Sequence, residues 1–161
     1  MKRLLIVGAG EYGHVVRELA FQVGYDEVEF LDDNSSEAIC RIEDFGRVTS
    51  EFDEFIVAIG NPIVRRRCVE LLKDSFDLAT IIHPLAYVSK EAVIGAGCVI
   101  EPGCVVYRKV NLGDACLVNA GAVLNHDCIV GDYCQIGCNA VVTARTVVSS
   151  DTKLEHGSVT E

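Results

Sequence analysis

The second half of the chain carries a hydrophobic repeat with a period of six residues. An aliphatic side chain occupies every position of the series Val88, Ile94, Ile100, Val106, Leu112, Val118, Leu124, Val130, Ile136, Val142, Val148 and Leu154. A small or short side chain follows each of them after four residues, at Ala92, Cys98, Cys104, Val110, Cys116, Ala122, Cys128, Cys134, Ala140, Thr146, Thr152 and Ser158. Side chains alternate between the two faces of a strand, so both series point the same way. The repeat predicts short strands and bends stacked as a parallel β-helix, with three hexapeptides in each coil of about 18 residues.

The first half of the chain alternates between apolar runs and helical patterns. The predicted strands cover residues 3–7, 28–31, 55–59 and 78–82, and the predicted helices cover residues 14–23 and 63–72. This alternation is typical of a parallel sheet covered by helices. We therefore predict a Rossmann-like nucleotide-binding α/β domain over residues 1–82, joined without a flexible linker to the β-helix over residues 83–161.

Charge and hydropathy narrow the classes of partner. A formal net charge of −10 gives an acidic surface that repels phosphate backbones, so no nucleic acid partner is expected. The one basic cluster, residues 65–67, is interpreted as a solvated helix face. No apolar run is long enough to predict a membrane span, and the apolar start is too short for a signal peptide, so a cytoplasmic location is expected.

The eight cysteines are explained mainly by the repeat rather than by chemistry. Five of them, Cys98, Cys104, Cys116, Cys128 and Cys134, take the small inward position of a hexapeptide. Cysteine behaves there as a compact hydrophobic residue. The chain has no CxxC pair and no tight grouping of Cys and His, so neither a disulfide framework nor a metal site is predicted.

A glycine string after the first strand is the candidate nucleotide site. Gly8, Gly10 and Gly13 form a GxGxxG pattern between a predicted strand and a predicted helix. Such glycines let the backbone approach a phosphate at a helix N-terminus, where N–H groups and the helix dipole favour anions. Asp32 lies 24 residues beyond Gly8, at the end of the second strand, where an acidic residue binds a ribose or a base. About 80 residues form only half of a dinucleotide fold, which favours one nucleotide over two.

His126 is the candidate catalytic residue among the four histidines. It lies in a polar Asn-His-Asp run inside an otherwise apolar repeat, followed by Asp127. A histidine with a carboxylate neighbour is a general base near neutral pH, and Asp127 would orient the ring as the base removes a proton from an attacking amine or hydroxyl. For His14 and His83 a structural role is favoured. Metal-dependent hydrolysis needs several convergent histidines, whereas Ala144 stands one coil beyond His126.

Together these motifs resemble the NeuD/PglD family of hexapeptide-repeat acyltransferases, which contains sialic acid O-acetyltransferases and UDP-4-amino-sugar N-acetyltransferases. The motifs that carry the resemblance are Gly8–Gly13, Leu31-Asp32-Asp33, Ala58-Ile59-Gly60-Asn61, His83-Pro84 and Asn125-His126-Asp127-Cys128. The resemblance implies a left-handed coil, a UDP-sugar site in the first domain, His126 as the catalytic base, and homotrimers with acetyl-CoA bound between neighbouring β-helices. It places the UDP-sugar site at Gly8, Gly10, Glu11, Tyr12, Gly13, Asp32, Asp33 and Asn61.

The sequence departs from the family pattern in three places. Glu11 and Tyr12 stand where many members have Gly and His, and Gln135 replaces a His that touches acetyl-CoA in the amino-sugar enzymes. Ala144 and Arg145 replace a glycine-rich step that supplies an N–H group to the oxyanion, although Ala144 can still donate one. The resemblance thus places acetyl-CoA at Gln135 and Ala144.

The sequence therefore predicts an acetyl-CoA-dependent N-acetyltransferase that acts on a UDP-linked amino sugar without a metal. Two alternatives stay open. One is O-acetylation of sialic acid or a related sugar. The other is a non-catalytic protein that binds nucleotide sugars and has a shortened β-helix, because no cap of the last coil is recognisable near Glu161.

Overall fold

The computed structural model describes all 161 residues and divides the chain into two compact units. The first unit is Met1–Ala79 and the second is Thr80–Glu161. The longest helix has 12 residues. No helix in the chain combines the length and the apolar character that crossing a membrane requires.

The first unit is built on a four-stranded parallel sheet of order β2-β1-β3-β4. Its elements are β1 Arg3–Val7, α1 Glu11–Gln22, β2 Glu27–Leu31, a 3-10 helix Ile42–Arg47, β3 Glu54–Val57, α2 Pro62–Leu72 and β4 Asp77–Leu78. The central strand β1 is apolar along most of its length and buried at Leu4, Leu5, Ile6 and Val7, as expected for a parallel strand covered on both faces. The predicted alternation of strands and helices is confirmed in this unit.

Three predicted elements differ from the structure by more than one residue, and one of them, the strand predicted over residues 55–59, ends at Val57. Helix α1 begins at Glu11, three residues earlier than predicted, because the helix opens directly at Gly10. The strand predicted over residues 78–82 is two strands, β4 and β5 Ile81–Ile82. The backbone N–H of Ala79 donates to Phe55 in the first sheet, whereas the N–H of Ile81 donates to Cys98 in a different sheet. One apolar run therefore serves two separate sheets.

The second unit is a parallel β-helix, which confirms the architecture predicted from the period of six. Its strands after β5 each have two residues: β6 Tyr87–Val88, β7 Val93–Ile94, β8 Val99–Ile100, β9 Val105–Val106, β10 Asn111–Leu112, β11 Leu117–Val118, β12 Val123–Leu124, β13 Ile129–Val130, β14 Gln135–Ile136, β15 Val141–Val142, β16 Val147–Val148, β17 Lys153–Leu154 and β18 Val159–Thr160. They form three parallel sheets of order β17-β14-β11-β8-β5, β18-β15-β12-β9-β6 and β16-β13-β10-β7. Each strand pairs with the third strand after it, one coil further on, so Leu117 faces Val99 and Gln135.

The interior of the coil contains the two inward series of the repeat. Ile100, Val118 and Leu124 are completely buried in one cluster with the five repeat cysteines, which confirms the packing role predicted for these cysteines. The thiol of Cys98 donates to the carbonyl oxygen of Gly113 in the next coil at 3.1 Å. Cysteine thus fills the corner and links adjacent coils.

Glycine recurs directly after the inward aliphatic residue because adjacent coils approach closely there. A Cβ atom on Gly113 would lie 2.6 Å from the backbone nitrogen of Asp132 in the next coil. Positive φ recurs at the corners of the coil, where Lys109, Asp127 and Arg145 have φ of 57°, 61° and 64°. The coil therefore imposes a left-handed backbone conformation on Asp127, next to the candidate base.

The burial of the cysteines predicts which thiols react with a disulfide reagent. Desolvation raises the pKa of Cys104 and of Cys128 to about 11. Because only the thiolate reacts, these thiols are inert at pH 8, whereas the half-buried Cys40 and Cys138 are accessible. We expect a disulfide reagent to modify at most two thiols rapidly in the native protein and all eight in denaturant. Rapid labelling of Cys104 or Cys128 in the native state, located by mass spectrometry, would contradict this packing.

Candidate active site

The glycine turn of the first unit joins β1 to α1. Gly8 has φ of 105°, and its N–H donates to the carbonyl oxygen of Leu31 at 2.9 Å. A Cβ atom on Gly13 would lie 2.0 Å from the carbonyl oxygen of Gly8, so α1 packs directly on the turn. Gly10 precedes α1 without a side-chain cap and has open space around its Cα. Gly8 and Gly13 thus shape the turn, while Gly10 leaves room beside the helix N-terminus for an anion.

Asp32 is held by the glycine turn rather than pointing freely towards a ligand. One carboxylate oxygen accepts from the N–H of Ala9 at 2.9 Å, and the other accepts from Asn34 and Ser35 at 2.8 and 3.1 Å. Burial raises the pKa of Asp32, but these three N–H donors outweigh it and hold the pKa below its usual value. Asp32 therefore fixes the turn against the end of β2 as a carboxylate.

Asp33 lies at the edge of a groove on the same unit. Its carboxylate accepts from the N–H of Ile42 at 3.0 Å and lies 3.8 Å from Arg41. The groove has a volume of about 640 Å³, and apolar side chains including Val64 and Leu71 line it beside Arg67. This volume is in the range of small-molecule sites. Asp33 is thus the predicted acidic residue that borders open space.

The turn before α2 contains another predicted nucleotide residue, Asn61. Its side-chain oxygen accepts from the N–H groups of Ile63 and Val64, which makes Asn61 the N-cap of α2. Glu11 and Tyr12 lie in the first turn of α1, where Glu11 is exposed and Tyr12 is half-buried.

Arg65 corrects the interpretation of the basic cluster as a solvated helix face. Its side chain is completely buried, and Nη1 donates to the carbonyl oxygens of Ile59 and Gly60 at 2.7 and 3.1 Å. Position 65 shares the buried face of α2 with Val69 and Leu72, a helical spacing that was visible in the sequence. Arg65 therefore holds the turn that leads to Asn61.

His126 lies at a corner of the coil, two residues after the end of β12, and contacts Asp127. The backbone N–H of His126 donates to the side chain of Asn125 at 2.8 Å, and Nδ1 lies 2.7 Å from Oδ2 of Asp127. The two side chains are 41% and 39% exposed, so the ring is open to a substrate. With the proton on Nδ1 donated to Asp127, Nε2 is left as the basic nitrogen of the ring.

The carboxylate of Asp127 is strongly favoured over its acid form. The hydrogen bond from the His126 ring lowers the pKa of Asp127, and the charges of Lys109 and Arg108 lower it further. Its N–H donates to the carbonyl oxygen of Arg108 in the preceding coil at 3.2 Å. Asp127 is therefore an ionised, fixed partner for the histidine.

The two residues predicted to touch acetyl-CoA lie apart in the coil. Ala144 follows His126 by one coil and lies on the same corner, because β12 and β15 pair in register. Gln135 lies in β14, in a different sheet, and makes no hydrogen bond to His126 or Asp127. Within one chain, therefore, only Ala144 shares the corner of the histidine.

A buried polar column that the sequence interpretation missed holds Gln135 in place. Its Nε2 donates to Oδ1 of Asn119 at 3.1 Å, and Nδ2 of Asn119 donates to Glu101 at 2.7 Å. The second carboxylate oxygen of Glu101 accepts from the N–H of Ala120 at 2.9 Å. Glu101 and Asn119 are 7% and 4% exposed and occupy the same position in successive coils, a relation that was available from the sequence.

Comparison with known proteins identifies relatives for both units. Residues 3–72 match the family model of the PglD N-terminal domain, and residues 77–161 match that of the GMPPB C-terminal domain. Over 113 residues the chain is 34% identical to the UDP-N-acetylbacillosamine N-acetyltransferase of Bacillus subtilis (strain 168), which is 62% of this chain and 51% of that protein. The chain thus spans about half the length of this curated relative.

Solved structures resemble the whole chain. The acetyltransferase domain of PglB from Neisseria gonorrhoeae FA1090 has a TM-score of 0.86 at 31% identity, covering 100% of this chain and 92% of that one. The same domain in complex with acetyl coenzyme A has a TM-score of 0.84 at 32% identity, with 97% and 89% covered. Perosamine N-acetyltransferase from Caulobacter crescentus shares the fold, with a TM-score of 0.88 at 22% identity and 100% and 89% covered. The chain belongs to the NeuD/PglD family of hexapeptide-repeat acyltransferases.

Proposed function

We propose that the protein transfers the acetyl group of acetyl-CoA to the amino group of a nucleotide-linked sugar, with His126 as the general base. The single observation that carries the proposal is the contact of 2.7 Å between Nδ1 of His126 and Asp127 at an exposed corner of the coil. The relatives at 31% and 34% identity are an acetyltransferase domain and a UDP-amino-sugar N-acetyltransferase, which supports both the donor and the acceptor.

The chemistry follows from the orientation of the imidazole ring. The amine nitrogen attacks the thioester carbonyl carbon while Nε2 of His126 accepts a proton from the amine. Asp127 stabilises the resulting imidazolium through Nδ1. The tetrahedral intermediate then collapses, the C–S bond breaks, and the imidazolium returns the proton to the departing CoA thiolate. The products are the N-acetylated sugar and CoA, and the base is regenerated.

Backbone and side-chain groups near the corner are suited to the acetyl donor. The N–H of Ala144 follows the histidine by one coil and is our candidate donor to the oxyanion. Gln135 lies in β14 and is our candidate contact for acetyl-CoA by resemblance to the family; its side-chain oxygen is buried and has no hydrogen-bond partner in the chain.

We assign the nucleotide of the acceptor, a UDP group, to the Rossmann-like first unit. The open space at Gly10 and the uncapped start of α1 favour a phosphate, with Gly8 and Gly13 shaping the turn. Asp32, Asp33 and the turn at Asn61 border the nucleoside in this proposal, together with Tyr12. Glu11 carries a negative charge at the helix N-terminus and so weakens the attraction for phosphate relative to glycine there.

A homotrimer of left-handed coils in the cytoplasm completes the proposal. Outward-facing Val93, Ile129 and Val147 are exposed and stacked along one sheet, with Tyr87 and Val159 exposed on another. Apolar faces of this kind on a coil favour association with further copies of the same chain. A molar mass of three chains by light scattering is the expected result.

The proposal is tested by measuring the release of CoA thiol with acetyl-CoA and a UDP-linked 4-amino sugar. We expect turnover with the amino sugar and none with its N-acetylated form. Turnover with sialic acid instead would move the assignment to O-acetylation. Binding of the nucleotide sugar without any binding of acetyl-CoA, by calorimetry, would reject an enzyme in favour of a binding protein.

Asp127→Asn tests the orienting carboxylate. The amide removes the charge that stabilises the imidazolium and can donate to Nδ1, so we expect kcat to fall on the order of 10²-fold, the lower range for general base catalysis. The melting temperature should change little, since Asp127 is only partly buried and Asn tolerates positive φ. An unchanged kcat in steady-state assays would remove Asp127 from the mechanism.

The lowered pKa of Asp127 also predicts the pH range in which this carboxylate stabilises the fold. An aspartate with a depressed folded pKa contributes stability that is complete above its unfolded pKa of about 3.9 and is lost as pH falls through the folded value. The carboxylate signal of Asp127 in a 13C NMR titration should therefore have its midpoint below about 3.9, the ordinary value. A midpoint above that value would contradict the ion-paired geometry.

A further inference from the structure

The corner that contains His126 also concentrates positive charge. Positions 90, 108, 126 and 144 stack on one another, as do positions 91, 109, 127 and 145, because β6, β9, β12 and β15 pair in register. The cations at these positions, which we call the basic corner, are Lys90, Arg108, Lys109 and Arg145. All four are exposed. They flank the histidine on both sides along the axis of the coil.

This concentration is unexpected in so acidic a chain. The protein has a net charge of −10 with 14 Lys and Arg residues in all. Arg108 forms an ion pair with Glu91 at 3.0 Å, and Asp127 is the other acid of these stacked positions. Lys90, Lys109 and Arg145 have no carboxylate within ion-pair distance. The corner is therefore locally positive on a surface that is otherwise negative.

We propose that the basic corner attracts the phosphate groups of the substrates and guides them to His126. The inference rests on the proposed function, in which acetyl-CoA and a nucleotide sugar both carry phosphates. A net negative protein repels such ligands, and local positive potential restores fast capture. Stacked coils are about 4.8 Å apart, so the four cations lie within roughly 10 Å of the histidine along the axis, comparable to the Debye length.

The test removes the two cations that flank Asp127. Lys109→Asn with Arg145→Asn lowers the charge by two and keeps residues that tolerate the positive φ of both corners. Lys73→Gln with Lys153→Gln removes the same charge at exposed positions outside the corner and is the matched control. At about 10 mM salt we expect kcat/KM to fall about tenfold in the corner variant and less than about twofold in the control. The difference should vanish near 0.5 M salt, about where screening is complete, with kcat little changed.

Varying each substrate in turn identifies the source of the phosphate. A loss in kcat/KM for acetyl-CoA assigns the corner to CoA, and a loss for the nucleotide sugar assigns it to the diphosphate. S-acetylpantetheine and the free amino sugar lack phosphates, so the corner variant should use each as well as the unmodified protein does. An equal loss with these analogues, a loss that persists at high salt, or the same loss in the control would overturn the proposal.

Direct binding separates this inference from the proposed function. If the unmodified protein shows no turnover, the proposed function fails, and calorimetry with CoA and with uridine diphosphate tests the corner alone. The corner variant should then bind at least one of these ligands about tenfold more weakly at low salt. Equal affinity of the variant and the unmodified protein, or no binding of either ligand, overturns the inference.

Discussion

His126→Ala is expected to reduce kcat by 10² to 10⁴-fold, about the full contribution of a positioned general base. The variant removes the nitrogen that accepts the proton of the amine, while the backbone of the corner is held by the coils on either side. The carbonyl oxygen of His126 still accepts from the N–H of Arg145, and Asn125 is untouched. Single-turnover assays with saturating acetyl-CoA measure the loss in the chemical step directly.

A second histidine in the same unit provides the matched control. His156 accepts a hydrogen bond from the N–H of Cys138 at 2.8 Å but lies at another corner of the coil. His156→Ala should therefore keep kcat within about twofold while lowering the melting temperature slightly, since one net hydrogen bond contributes about 1 kcal/mol. If His126→Ala retains the full rate, the base lies elsewhere. If both variants lose activity equally, the effect of His126→Ala is structural.

Gly13→Ala is expected to destabilise the first unit by about 3 kcal/mol or more, at the upper end of overpacking substitutions. The added methyl group would lie 2.0 Å from the carbonyl oxygen of Gly8, a backbone atom of the turn, and would be fixed to the backbone of the packed helix α1. Neither can yield without moving α1 away from the turn. The free energy of unfolding by urea and the affinity for uridine diphosphate should fall together.

Gly46→Ala separates this effect from a general cost of replacing glycine. Gly46 lies in the 3-10 helix, lacks a positive φ, and has no atom within 4 Å of the place that a Cβ would take. We expect a change within about 0.5 kcal/mol, as for ordinary surface substitutions. A Gly13→Ala protein as stable as the Gly46→Ala protein would show that α1 does not pack on the turn as described.

The architecture of the coil was predictable because its signal is repeated. Each inward position of the period-six series is an independent observation, and buried residues such as Leu112 and Ile136 confirm the same rule. The strand predicted over residues 78–82 was wrong for the opposite reason. Hydrophobicity predicts that a residue is buried but not which strand it pairs with. Leu78 and Ile81 are both apolar, yet they belong to strands of two different sheets. The strand with which a segment pairs depends on residues that are distant in the sequence, and a local pattern does not contain them.

The contacts of the candidate site were predictable from the sequence only where the interacting residues are neighbours in the chain. The pairing of His126 with Asp127 follows from adjacency, whereas the backbone contacts of Asp32 do not. An acidic residue at a strand end predicts a ligand contact, and no local pattern shows that three backbone N–H groups of the fold also donate to its carboxylate. Arg65 was misassigned because charge suggests solvent, while two carbonyl oxygens make its burial favourable.

The pairing of each strand with the third strand after it also determines which changes in length this unit can accept. Removing one whole coil would leave every remaining side chain on its own sheet and corner, and would only bring more distant neighbours together. Removing a single hexapeptide would instead move all later residues to the next of the three sheets, and a removal between His126 and Ala144 would take Ala144 off the corner of the histidine. The distance along the axis between two functional groups on one corner can therefore change only by whole coils. During evolution, the spacing between two such groups can lengthen or shorten only in steps of about 4.8 Å, the separation of adjacent coils.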